Sequence, residues 1–255
     1  MQRRSFIATL GAGAIATLAG CQTAVGSVAP PSVPQSELEE GGWELREETT
    51  DETVFEEEYS LVTVEAVATS RTYADAALRE QISEDTLGTL DTDLSLFSAT
   101  RVDVAPSVDE LGPVQSEVEG RIRENAVDQL RTRMEEAGVT DIEETGTDTL
   151  GVAEGTEADL VELAGHYPVT DIEFPVTEGT TITIEGTDLR VVALLAVWAA
   201  DGSYLVAGGA YPGENFVRET DTALSDAISV TIDVDLGLSP DAYREELLGL
   251  VTGVE

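Results

Sequence analysis

Few residues in this chain combine the type and the setting that chemistry requires. It holds one histidine, His166, and one cysteine, Cys21. His166 is the sole imidazole base and sits in Gly165-His166-Tyr167-Pro168, a turn-like context. Acyl transfer by a serine triad needs an activated serine as its partner. No G-x-S-x-G occurs, and the nearest stretch, Asp201-Gly202-Ser203-Tyr204, reads better as a hairpin. A local hydrogen bond is therefore the expected role of His166. Carboxylates are abundant, with 51 Asp and Glu in 255 residues. At that density about ten acid-x-acid triplets arise by chance. Asp91-Thr92-Asp93 and Asp233-Val234-Asp235 thus mark no cation site, and neither continues into a calcium loop. A carboxylate pair for glycoside hydrolysis is set by spatial spacing and stays open as an alternative. In a chain this acidic, solvated carboxylates are the plainer reading.

Composition removes further chemistries. All 13 basic residues are arginine. Schiff-base catalysis and a P-loop both require lysine. One cysteine and one histidine are too few for a thiolate zinc site, and a lone cysteine forms no disulfide within the chain. The formal charge of −38 repels phosphate, so no nucleic-acid partner is expected. No cofactor and no metal are expected, and no catalytic residue is assigned.

Cys21 takes its meaning from what precedes it. Residues 1–21 read MQRRSFIATLGAGAIATLAGC. Two arginines are followed by an apolar run from Phe6 to Gly20, the layout of a secretory signal. The run is shorter than the ~20 residues that span a bilayer. Gly11-Ala12-Gly13-Ala14-Ile15-Ala16 fits a dinucleotide fingerprint but lies in no βαβ unit, and it is rejected. Arg3-Arg4-Ser5-Phe6-Ile7 resembles a twin-arginine export signal, which handles proteins folded before export. Leu18-Ala19-Gly20-Cys21 resembles a lipobox, which implies that Cys21 becomes the lipid-bearing first residue of the mature chain. A single acyl chain anchors weakly, so stable attachment calls for a two-chain lipid. The expected division is a signal peptide over 1–20, a lipidated cysteine with a flexible Pro/Gly and acidic tether over 21–42, and one domain over 43–255.

Loss of residues 1–20 removes two arginines and no acids, so the mature charge is −38 − 2 = −40. Such self-repulsion opposes a compact state unless salt screens it. The screening length falls from ~10 Å at 0.1 M salt to ~3 Å at 1 M. With 42% hydrophobic residues in periodic segments, the chain is expected to fold, and to depend on salt. Acid excess and absent lysine resemble the proteins of extreme halophiles, haloarchaea in particular.

Periodicity then supplies the elements. Trp43, Leu45 and Tyr59–Val67 carry β propensity within an expected strand region over 43–69. Residues 70–93 read as irregular or partly helical, and 94–104 alternates as a strand ended by Pro106. A helix is expected over 113–137, opened by Pro113 and stopped by Gly138, with Val114, Val118, Ile122, Val127, Leu130 and Met134 as a core-facing stripe. Glu117–Arg121 and Glu119–Arg123 are spaced as i,i+4 ion pairs. Residues 144–167 lean to strand, with Thr156 and Asp159 offering a helix cap instead. A short strand is expected over 181–185. Leu189–Ala200 is nearly all apolar, a central strand covered on both faces. Asp201-Gly202 turns it into Ser203–Tyr211, where Gly208-Gly209 marks a bulge or close contact. Residues 213–227 read as loop with some helix, 228–236 as strand, and Ser239-Pro240 opens a last helix through about Val251. There are no internal repeats.

The sum is an α+β domain: a largely antiparallel sheet of six to eight strands packed by a long central helix and a C-terminal helix. The order of elements loosely resembles the PsbP-like fold. Signal, lipobox, Gly-Gly-Ala-Tyr-Pro after a Trp-bearing strand, and acidity together are similar to uncharacterised haloarchaeal lipoprotein families, which bring no catalytic residues to carry over. The expected function is a non-enzymatic binding or accessory module. Its expected partners are membrane lipid through Cys21 and an envelope protein, at the outer face of the cytoplasmic membrane. The alternatives are a carboxylate hydrolase, with or without His166, and a carrier of a small apolar ligand in a closed cavity lined by residues such as Trp198 and Leu195.

Overall fold

The computed structural model describes residues 26–59, 62–152, 155–177, 180–225 and 228–255. The export and lipidation residues Arg3, Arg4, Phe6, Leu18, Ala19, Gly20 and Cys21 lie outside these. In chain order the elements are α1 (Gln35–Glu40), β1 (Trp43–Tyr59), β2 (Val62–Asp75), α2 (Ala76–Asp85), β3 (Leu96–Ala105), α3 (Gln115–Glu136), β4 (Thr140–Gly151), β5 (Glu157–Pro168), β6 (Ile172–Thr177), β7 (Thr180–Ile184), β8 (Asp188–Ala200), β9 (Ser203–Pro212), β10 (Val217–Ser225), β11 (Ile228–Asp235) and α4 (Pro240–Thr252). Seven strands form one sheet in the order β1-β2-β3-β9-β8-β5-β4, antiparallel throughout. β6–β7 and β10–β11 are separate hairpins.

This architecture corrects the expected α+β class. The chain is mostly β, with α3 the only helix longer than 13 residues among those described. Two acidic strands go beyond the expected ones: β10 stands where a loop was expected, and β4 starts at Thr140, ahead of the strand region expected from 144. β4 reads TDIEETGTDTLG and β10 reads VRETDTALS, neither with a continuous apolar face. β1 runs to 17 residues and is similarly rich in Thr and Glu. β1 and β4 are the two edges of the sheet. Charged side chains on an edge strand keep it from pairing with another molecule, and both edges carry them although β1 lies within the strand region expected over 43–69. β10 replaces the loop expected over 213–227, and in the stretch over 70–93, expected as irregular or partly helical, β2 runs on to Asp75 and α2 supplies the helix.

The central strands behave as their composition dictates. Every residue from Val191 to Trp198 is buried, because β8 is covered on both faces. On one face α4 sets Leu247, Leu250 and Val251 against Phe97, Leu194, Trp198 and Leu205. Fully burying an aliphatic side chain contributes about 1.5–3 kcal/mol. On the other face Val118 and Ile122 of α3 meet Val102, Val197 and Tyr204. The β8–β9 turn uses Asp201 at φ +48° and Gly202 at φ +77°, the left-handed pair that matches strand twist.

Residues 26–42 were expected to hang free, yet Val28, Val33 and Leu38 are buried. Ser32 and Glu255 exchange backbone hydrogen bonds at 2.7 and 3.1 Å, tying this segment to the C-terminus. Trp43 Nε1 donates to Glu246 of α4 at 2.8 Å. Smaller expectations also shift. Arg121 pairs with Glu57 and Glu124, and Arg123 pairs with Asp159, in place of the i,i+4 partners. The Ser239 side chain makes no cap; its carbonyl accepts from Tyr243 N at 3.1 Å.

Candidate functional site

The two halves of α3 meet the sheet differently. The first half packs Val118 and Ile122 tightly on it. Further along, small residues face each other: Ala126 and Ala137 on the helix side, Gly208 and Ala210 on β9. The space left between them is a cavity of about 380 Å³. Small-molecule sites occupy about 300–1,000 Å³.

Its lining follows the strand order. Val191 and Leu195 of β8, Tyr167 of β5, and Leu130, Met134 and Val139 make one side apolar. Thr72 of β2, with Ser98 and Thr100 of β3, supplies hydroxyls on the other. Thr72 and Ser98 are cross-strand partners, with hydroxyl oxygens 3.2 Å apart. Gln129 and Arg133, one helical turn apart, complete the polar side from above. Asp93 also lines the cavity and is held by Arg46 at 3.4 Å and Arg79 at 3.7 Å.

Arg133 stands out by its partners. It donates to Thr72 Oγ1 at 3.3 Å and has no carboxylate within 4.0 Å among the described residues. Eight of the eleven described arginines do have one, in a chain with 51 acids. Arg190 and Arg218 likewise have none among the described residues, but neither lines this cavity.

A second chamber of about 230 Å³ continues along α3 and shares Thr100, Ala126, Gln129 and Val206 with the first. The Asn125 side chain lines it, and its buried Nδ2 has no hydrogen-bond partner among the described residues. Beneath the first turns of α3, the Tyr204 hydroxyl is buried and has no hydrogen-bond partner among the described residues. Desolvation, with a smaller push from Glu119, raises this phenol to about 12, so it stays neutral.

The match that places the chain covers residues 30–255. It belongs to the DUF6517 family, described as a domain of unknown function. The DUF6517 match starts inside the expected tether, in keeping with buried Val33 and Leu38. Comparison with curated proteins found no match, and comparison with solved structures found none either.

Residues singled out from the sequence of this DUF6517 protein scatter. His166 lies on β5 rather than in a turn, exposed, with its carbonyl accepting from Thr140 Oγ1 at 3.3 Å. Asp91 pairs with Arg79. Asp235 accepts from Asn215 and from Gly237 N, which lowers its pKa. Among the described residues no group of three or more His, Cys, Asp and Glu is placed to hold a metal, and no helix is long and apolar enough to cross a membrane. Leu195 lines the cavity, whereas Trp198 packs on the opposite face of the sheet against the α4 cluster.

One buried carboxyl escaped sequence reasoning. Asp75 caps α2, accepting from Leu78 N at 2.8 Å. Burial, reinforced by the nearby Glu246 charge, pushes it up to about 6 despite its backbone donors. It lines none of the cavities described above. The cavity residues were missed because Arg133 and Gln129 look like ordinary surface positions of an amphipathic helix. The one faint sign was the run of small residues Gly208-Gly209-Ala210 on an otherwise bulky strand.

Proposed function

We propose that this chain is a non-enzymatic binding lipoprotein of a halophile, exported folded by the twin-arginine route and anchored through Cys21 at the outer face of the cytoplasmic membrane. The cavity under α3 is its ligand site. One observation carries the binding reading: about 380 Å³ of largely apolar space with hydroxyl, amide and guanidinium groups on one side. The Arg3-Arg4 motif and the Leu18-Ala19-Gly20-Cys21 box support the address, and the charge of −38 without lysine supports the salt habitat. Such a module captures a small molecule outside the cell and holds it at the membrane, alone or for an envelope partner.

The experiment is titration with Nile red, an uncharged apolar dye, at molar salt. Saturable binding with a blue-shifted emission is expected. Leu195→Trp, which fills the cavity, weakens it by about tenfold or more while circular dichroism is unchanged. Dye binding that the folded variant leaves intact overturns the assignment of the site.

A further inference from the structure

We infer that the ligand of this cavity is a hydrophobic monocarboxylate whose headgroup is taken by Arg133; this rests on the cavity being the binding site. The argument begins with the guanidinium. Arginine carries five N–H donors and no acceptor, and its planar fork matches a carboxylate with two parallel hydrogen bonds. Arg133 gives one described hydrogen bond, to the neutral hydroxyl of Thr72 at 3.3 Å, a long contact. Its charge has no anionic counterpart within 4.0 Å among the described residues, although acids outnumber bases 51 to 13. The other charged group in the lining, Asp93, is already taken by Arg46 and Arg79.

The surroundings of Arg133 fix the rest of the ligand. Thr72 and Ser98 share one hydroxyl hydrogen bond, which leaves one hydroxyl proton of the pair to donate to an oxygen anion, and Gln129 adds an amide one turn away. Across β9 the lining turns apolar with Val191, Leu195 and Met134. A ligand lying across the cavity therefore has a small anionic end at the β2–β3 side and an apolar body toward β5. A single guanidinium balances one charge, so a phosphate monoester or a dicarboxylate would bring an unmatched second charge into a strongly acidic protein. A monocarboxylate leaves none.

Octanoate and 1-octanol, alike in chain but not in charge, are the probes. Each is titrated at pH 7 and molar salt by displacement of Nile red from the full mature protein and from Arg133→Gln. The wild type is expected to bind octanoate at least about tenfold more tightly than 1-octanol, and Arg133→Gln to erase that preference while holding 1-octanol within about twofold. Arg133→Lys, which keeps the charge without the fork, retains part of the preference. Equal binding of both probes by the wild type, or a preference that survives Arg133→Gln, overturns the monocarboxylate and leaves the cavity as a site. Failure of the dye and both probes to bind the wild type overturns the site itself, and the monocarboxylate with it. Should Arg133→Gln not fold, Thr72→Val with Ser98→Ala tests the same headgroup position, and an unchanged preference there counts against it.

Discussion

Arg133 and Thr72 meet at the polar end of the cavity at 3.3 Å, one from the last turn of α3 and the other from near the end of β2. The contact spans 61 residues of sequence. It links the last turn of α3 to β2 and sets the half-buried guanidinium at the cavity. Thr72 is held in turn by Ser98 on β3. A cation at the rim of an apolar cleft is thus built on two strands and a helix, all rigid elements, which is what a site of fixed geometry requires.

Gly209 tests the close contact on β9. A Cβ there would run into the Leu96 carbonyl oxygen and stand 2.9 Å from Leu247 Cδ1 of α4. The first obstacle is backbone and cannot turn aside. Gly209→Ala is expected to destabilise the domain by about 2–4 kcal/mol, near the top of the range for single substitutions. Denaturant titration at molar salt measures it. Gly88, where a Cβ meets nothing within 4 Å despite φ +76°, is the control. Its alanine variant should lose only about 1 kcal/mol, the ordinary strain of a left-handed alanine.

Much of this fold was legible because apolar composition and turn chemistry agree. β8 is apolar from Val191 onward, Asp201-Gly202 dictates the turn, and Pro113 with Gly138 brackets α3. The strand that was read as a loop has a plain cause. In β10 and the first residues of β4, Thr and acids dominate because one lies in a solvated hairpin and the other at a sheet edge, so there was no face of apolar residues to detect, whereas β1 and the rest of β4 fall in the strand regions expected over 43–69 and 144–167. The site was less legible still. Leu130 and Met134 read correctly as an inward stripe, but sequence does not show that Ala126 and Gly208 leave the sheet and helix apart there. Nor does it show which arginine lacks an acid, since partners such as Glu57 for Arg121 come from distant strands.

Salt should govern stability. With a formal charge of −38, unscreened repulsion acts across the whole surface. Between ~0.1 M and ~1 M NaCl the screening length drops from ~10 Å to ~3 Å. The melting temperature is expected to rise by about 10 °C or more over that interval. Circular dichroism melts at constant pH read it directly, and a flat response refutes the role assigned to the charge.

Cys21→Ser tests the anchor. If the lipid on Cys21 is the attachment, the variant should move from the membrane fraction to the medium while folding as before. Fractionation of the native host, followed by immunoblotting, reads the change. Retention of the variant in membranes demonstrates another attachment.

Asp75 makes a prediction about pH whose sign runs against the usual carboxylate. In the folded chain its pKa is pushed up to about 6, chiefly by burial and next by the Glu246 charge; the ordinary value is 3.8. The unfolded chain therefore gives up this proton first as pH rises. The folded state holds its advantage fully below about pH 4 and loses it progressively up to about pH 6, beyond which the loss is complete. The size is roughly 1–2 kcal/mol after allowance for solvent near the carboxyl. The other acids also respond in this window, so the wild type alone does not isolate the effect. Asp75→Asn does: asparagine keeps an oxygen for Leu78 N and remains a good helix cap, but it carries no charge at any pH. Relative to wild type the variant should be gained upon at pH 4 and should pull ahead by pH 7. Paired denaturant titrations at the two pH values, both at molar salt, measure the difference. A stability gap that does not change with pH would mean that Asp75 ionises in the fold as easily as it does in water.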